Sequence, residues 1–217
     1  MSEKFKLRLE FEKTGRIRFI SHLDLLRVMQ RLFKRAGVPL WHSEGFNPHP
    51  YIAFGQPLSL GHEGCFEIVD TALTEECTDL DALCASINAT APEGLVMHRA
   101  WVPERPLKEI IYADYETLIY DATEADIPAM QARLSAETCV VEKKSGKKFV
   151  ELDIIPLIRS FSMEAVEEGV QICSRVACGP AKVLNPQYLA DGALGRRGVS
   201  ARHRRLHLLD AEEKNFS

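Results

Sequence analysis

With 217 residues, 46% of them hydrophobic, the chain is long enough to bury a full core and to divide into two small domains. Its net charge of -4 excludes a protein that coats nucleic acid along its whole surface, so any polyanion site has to be local. It contains no apolar run of the roughly 18 residues a membrane span needs, and the charged start MSEKFKLRLEFEK has no signal-peptide core, so a cytoplasmic protein without membrane contact is expected.

Residues 6–12 alternate as a strand, with Leu7, Leu9 and Phe11 on one side. Arg16 and Arg18 lie on the strand that feeds a helix. Ser21 is its N-cap, Asp24 completes a capping-box-like start, and Gly37 with Pro39 ends it, which predicts a helix over 22–36. Leu25, Met29, Leu32, Phe33 and Ala36 fall on one stripe of that helix, and Arg27, Arg31, Lys34 and Arg35 on another. Guanidinium and ammonium groups so gathered suit phosphate oxygens, which arginine grips in bidentate fashion. The plainer alternative is a solvated helix face.

A strand is expected over 38–42. It leads into the loop 43–51, SEGFNPHPY, which two X-Pro bonds stiffen and Gly45 allows to turn. Trp41, Phe46, Tyr51 and Phe54 offer flat faces for bases, although Trp41 and Phe54 flank strands and read better as core. A strand at 65–73, a helix at 79–91 built on Leu80, Leu83, Cys84 and Ile87, and a strand at 95–102 complete the order βαββαβ, that of a ferredoxin-like domain over residues 1–103.

The proline-bearing stretch 103–108 reads as a linker into a second domain, 109–217. There a strand at 110–120 and a helix at 124–135 precede a hairpin of 138–144 with 147–154, turning at Ser145-Gly146. A second hairpin of 161–165 with 170–177, a short helix at 186–191 and a strand at 199–208 follow. The expected fold is therefore α+β, with two ferredoxin-like units in tandem and the second elaborated by extra hairpins. In the last strand Arg202 and Arg204 point one way and His203 and Arg205 the other, which predicts an exposed edge, either a second basic binding surface or a charged guard against aggregation.

The chain has no GxxxxGK[ST], GxGxxG, GxSxG or HExxH, and no CxxxCxxC of the kind that holds an iron-sulfur cluster, so no cofactor is expected. Its six cysteines form no CxxC pair and read as reduced thiols. A zinc site could be assembled only from His42, His49, His62 and Cys65, whose spacing is not diagnostic, and no metal is expected. The chemical candidates are His22, at the start of the basic helix, and His49 in the loop. A histidine beside phosphate-binding arginines can act as general acid or base in RNA cleavage.

The pieces FISHLDLLR, SEGFNPHP and PLSLG, within a match running from about residue 6 to 208, resemble the signature of the bacterial radical-SAM-linked protein family, a domain of unknown function. Its members are fused to, or encoded beside, cobalamin-binding radical SAM enzymes. The resemblance implies an accessory to a radical SAM enzyme encoded separately, which accords with the missing cluster cysteines. More distantly, the strand, basic helix and glycine-bearing loop are similar to the ferredoxin-like RNA-binding proteins of CRISPR systems, including their repeat-processing endoribonucleases. The short loop around Gly45 departs from the longer glycine-rich loop of those nucleases.

The leading reading is an RNA-binding module that presents ribosomal or transfer RNA to a radical SAM partner. Arg16, Arg18, Arg27, Arg31, Lys34 and Arg35 would hold phosphates, with Arg202 and Arg204 adding a second basic patch. Phe46 and Tyr51 would stack on bases, and His22, Ser43, Asn47 and His49 would contact the ligand. The alternatives are a metal-independent endoribonuclease using His22 or His49, and a protein-docking module that binds no RNA.

Overall fold

The alternation that starts the chain forms strand β1, Phe5–Lys13, and its apolar side Leu7, Leu9 and Phe11 is buried as the pattern requires. The middle of its polar side is buried as well, Arg8 at 1% exposed with Glu10 beside it, while Lys6 is exposed; Lys13 at the strand's end is also covered. The computed structural model describes residues 4–146 and 148–216 and divides into two compact units, 1–109 and 110–217. Lys147, expected to open the second strand of the first hairpin, lies outside the described residues. The chain is α+β, dominated by sheet with few helices.

In the first unit Arg16 and Arg18 lie not on a strand but in a 3-10 turn, Gly15–Phe19, entered at Gly15 with φ 61°, and helix α1 (His22–Arg35) then starts where its cap lies: Ser21 Oγ accepts from the Asp24 N–H at 3.1 Å. Leu25, Met29, Leu32 and Phe33 are buried on its apolar stripe, and the chain leaves at Gly37, whose φ of 71° is a left-handed turn that a Cβ would strain. Then come β2 (Ile52–Phe54), β3 (Glu63–Leu73), α2 (Leu80–Asn88) and β4 (Leu95–Trp101). β3 lies antiparallel between β1 and β2, and β4 pairs antiparallel with β1, so the spatial order is β4-β1-β3-β2. The core forms where Leu7, Leu9 and Phe11 meet α1, Cys84 and Ile87 of α2, and Leu95 and Met97 of β4.

The strand expected over 38–42 does not form. Leu40 and His42 make only isolated bridges, to Leu73 and Pro50, and the short strand falls instead on Ile52–Phe54. Pro39 has no N–H to give a ladder, and the two prolines of the loop restrict the other side of the bridge.

The second unit runs β5 (Tyr112–Ile119), α3 (Ile127–Leu134), the hairpin β6 (Val140–Ser145) and β7 (Lys148–Asp153), β8 (Ile158–Val166), β9 (Gly169–Ala177), α4 (Pro186–Leu194) and β10 (Ala201–Leu209). Its main sheet is antiparallel in the order β10-β5-β9-β8, and β6 with β7 makes a separate two-stranded ribbon. The exposed strand expected at the end of the chain is overturned: on β10, His203 and Arg205 are buried, and Arg204 donates to Glu116 Oε2 of β5 at 3.0 Å. Among the described residues no helix is long and apolar enough to cross a membrane.

His203 has a measurable cost at low pH. Its ring nitrogens sit 3.1 Å from Thr117 Oγ1 and 3.1 Å from Gln187 Oε1, and burial pushes its pKa from 6.5 down to about 4, with Asp191 only partly opposing. Between those values the unfolded chain binds a proton that the fold refuses, so stability falls as pH drops through this window, by about 3 kcal/mol at most. Denaturant melts of wild type and His203→Gln at about pH 7 and about pH 4.5 are expected to show a steeper loss in wild type. Parallel losses would exclude His203 as the source.

Candidate nucleic-acid interface

The outer face of α1 divides by what its cations are doing. Arg27 donates to Asp24 Oδ1 at 2.8 Å, one turn back on the exposed surface, and Arg35 donates to the Thr90 carbonyl at 3.0 Å. Arg18 is drawn inward to Glu63 Oε1 at 3.0 Å, with its guanidinium 4.7 Å from the Phe19 ring centroid. Arg31 and Lys34 are exposed, as is Arg16 before the helix, and these three form no ion pair among the described residues. The helix dipole accounts for a cation in the last turn such as Lys34, but not for Arg31 a turn earlier.

Arg31 and Lys34 line an open groove of about 540 Å³. Gln30 and Gly37 continue their wall, Val38 and Leu40 give it an apolar floor, and His42 with Pro50 closes the far side. His42 and Pro50 are the bridge at the root of the loop, so the basic helix and the base of the SEGFNPHP segment meet across one cleft. Spacing along the chain could not reveal His42 and Gln30 as groove residues, although Gln30 stands four residues before Lys34 and so on the same ridge.

The loop above this root is held in one shape. The Ser43 N–H donates to the His49 carbonyl at 2.9 Å, Ser43 Oγ hydrogen-bonds His49 Nδ1, and the His49 N–H donates to Ser43 Oγ at 3.2 Å. At its tip Phe46 is fully exposed, and Asn47 has no hydrogen-bond partner among the described residues. Tyr51 stands apart. It lines a separate cavity of about 310 Å³ with Lys6, Arg8, Asp70 and Arg105, and Lys4 Nζ lies 4.1 Å from its ring centroid, covering one face. Phe46 is thus the expected stacking residue whose faces are free.

His22 begins α1 with its ring 5.0 Å from Phe54, edge to face, and its Nδ1 is buried without a hydrogen-bond partner. Burial, helped by the charge of Lys13, lowers its pKa and favours the neutral imidazole. His49 is committed to Ser43. Among the described residues no three histidines, cysteines or carboxylates are grouped to hold a metal, so the set His42, His49, His62 and Cys65 is not assembled.

These features define an α+β protein with a local basic groove. Residues 6–186 match the family described as uncharacterized protein conserved in bacteria (DUF2344), and the chain belongs to that family. No curated protein matches it. Among solved structures, it is similar to a chain of a Cbf5-Nop10-Gar1 complex, at 10% identity and a TM-score of 0.52, over 93% of this chain and 48% of that one. A chain of the archaeal box H/ACA sRNP Nop10-Cbf5 complex matches at 11% identity and a TM-score of 0.47, over 92% of this chain and 46% of that one. The chain therefore spans about half the length of each of these two.

Proposed function

We propose that this protein binds RNA through the α1 groove and presents it to a separately encoded radical SAM enzyme. The observation that carries the RNA reading is the pair Arg31 and Lys34, unpaired on the rim of an open groove whose opposite wall is the root of a rigid, aromatic-tipped loop. Cations left without acids at a concave surface suit phosphates arriving from outside. Lys34 continues the phosphate path beside Arg31, exposed Arg16 before the helix is a further phosphate candidate, Arg27 and Arg35 can exchange weak surface partners for phosphate, and Phe46 offers a stacking face. Exposed Arg202 remains a candidate on the second unit.

A tandem ferredoxin-like architecture is supported by connectivity. Each unit, with the β6–β7 ribbon set aside, runs βαββαβ, and in each the last strand pairs with the first and the third pairs with both the first and the second. A fold of this kind carries no activity by itself, so the reading rests on the groove. The radical SAM partner rests on the resemblance of FISHLDLLR, SEGFNPHP and PLSLG alone. Co-purification of the tagged protein with such an enzyme from its own host tests that step, and its absence would remove the partner while leaving the groove.

The RNA reading is tested by binding of labelled small RNA and of a random single-stranded oligonucleotide at low and moderate salt. Affinity is expected to fall steeply with salt and the RNA to stay intact. Shortened RNA would transfer the conclusion to cleavage through His22 or His49, and no binding at any salt would leave the helix as a face for a protein. Phe46→Ala is expected to weaken single-strand binding by about 1–3 kcal/mol, the worth of one stacked base, with thermal stability unchanged because the ring touches nothing. Undiminished affinity would remove Phe46 from the site.

A further inference from the structure

The β6–β7 ribbon carries a second basic surface that the groove does not use. Lys143 and Lys144 on one strand and Lys148 on the other are exposed and form no ion pair among the described residues. Ser145 and Gly146 lie where the two strands fold back; Lys143 and Lys148 share one face of the ribbon and Lys144 takes the other, so both faces of the tip carry positive charge.

An isolated two-stranded ribbon is marginal in water, so this one needs an anchor. Its root supplies it. Val141 is buried against Gly192 of α4, where an added Cβ would come within 2.7 Å of Ile154 Cδ1 and 2.9 Å of Cys139 Sγ. Asp153 Oδ1 accepts from the Cys139 N–H at 2.9 Å and the Ile155 N–H at 3.2 Å, tying the two strand ends together.

Beside the root lies a cavity of about 410 Å³ whose lining sets Arg133, Arg196 and Arg197 beside Glu142 and Asp191, and Arg196 donates to Asp121 Oδ2 at 2.8 Å. Arg133 donates to the Ala193 carbonyl at 3.3 Å, and among the described residues no carboxylate holds it. Gly195, at φ 66°, leaves its guanidinium room, since a Cβ there would stand 2.9 Å from Arg133 Nε. Arg197 lies flat on Phe149 of the ribbon, 4.3 Å from the ring centroid, while it donates to Glu142.

We infer that the ribbon and this cavity form a second contact for the RNA phosphate backbone, independent of base sequence. Lysines are point charges that follow phosphates, and the fork of Arg133, the cavity arginine without a carboxylate partner among the described residues, suits phosphate oxygens. Phe149 has a face covered by Arg197 and makes a poor stacking platform, unlike Phe46. The inference rests on the RNA reading and assigns the second unit a contact of its own.

The test is binding of a labelled random RNA of about 30 nucleotides across a salt series by wild type, Lys143→Ala/Lys144→Ala/Lys148→Ala, Arg133→Gln and Arg31→Glu/Lys34→Glu. The triple variant is expected to bind about tenfold more weakly at moderate salt and to flatten the slope of log affinity against log salt by about 2, at roughly 0.7 per single-strand phosphate. Arg133→Gln is expected to flatten it by about 0.7. Glutamine in place of the three lysines keeps most of each stem and serves as the second variant should the alanine form unfold. Wild-type slope and affinity in both lysine variants, with binding lost in the helix variant, would overturn the inference and leave the lysines as edge guards. Binding lost in the lysine variants but kept in the helix variant would sink the groove and leave the ribbon as the site. No binding by wild type would end both.

Discussion

Replacing Arg31 and Lys34 together by glutamate is expected to weaken RNA binding by about 100-fold, the largest effect of any surface change in the first unit. Two charge-assisted contacts, each worth about 1.5 kcal/mol or more, account for that factor before repulsion is added. The slope of log affinity against log salt should flatten by about 1.4, two contacts at roughly 0.7 each for a single strand. Arg27 is a weaker choice because Asp24 already holds it at 2.8 Å, and reversing Arg18 would set a carboxylate against buried Glu63 and confuse binding with folding. Both chosen side chains are exposed and unpaired, so the thermal midpoint should move little. Fluorescence anisotropy across a salt series supplies both numbers. Equal affinity and slope in the variant and wild type would show that the groove is not where RNA sits.

The helix behind that prediction was readable because its signals are local. Ser21, Asp24, the Leu25-Met29-Leu32-Phe33 stripe and Gly37 all act within a turn or two of one another, and each takes the position its chemistry requires. The loop was readable as stiff for the same reason, but its Ser43 and His49 closure was not, since six residues separate the partners and the turn between them decides whether they meet. The groove needed the fold, because His42 and Pro50 reach Arg31 only after the chain has turned at Gly37.

In β10, charge on both faces reads as an exposed edge, and the structure overturns that by burying His203 and Arg205. Arg8, which is buried, and Arg204, which is half-exposed, each pair with an acid on another strand, Asp70 at 62 residues' distance and Glu116 at 88, and nothing near either arginine in sequence announces it. Pro39 was visible in the expected strand over 38–42 and, by the rule that proline leaves a ladder without a donor, should have demoted it.

Arg8→Ala is expected to destabilise the protein by about 3–5 kcal/mol, the range for removing one partner of a buried ion pair, and to lower the thermal midpoint by about 10 °C or more. The guanidinium grips Asp70 with two bonds, Nε to Oδ1 at 2.6 Å and Nη2 to Oδ2 at 2.9 Å, and Nη2 also donates to the Arg105 carbonyl at 2.8 Å. Arg8 and Asp70 sit directly opposite each other in the β1 and β3 ladder, so alanine leaves a buried carboxylate facing a void and frees the chain at Arg105. Arg8→Met fills the space without the charge and should still lose most of this stability, while Arg8→Met/Asp70→Leu should recover it, because desolvating two charges costs nearly what their attraction returns. Chemical denaturation of the three variants separates the pair from simple packing. If the double variant stays as unstable as the single ones, the pair contributes more than removal of a mismatch. If it recovers, the pair's remaining role is register: a one-residue slip of β1 against β3 would bury Arg8 opposite Val69 or Thr71, with no acid directly across from it, and that cost holds the strand in place.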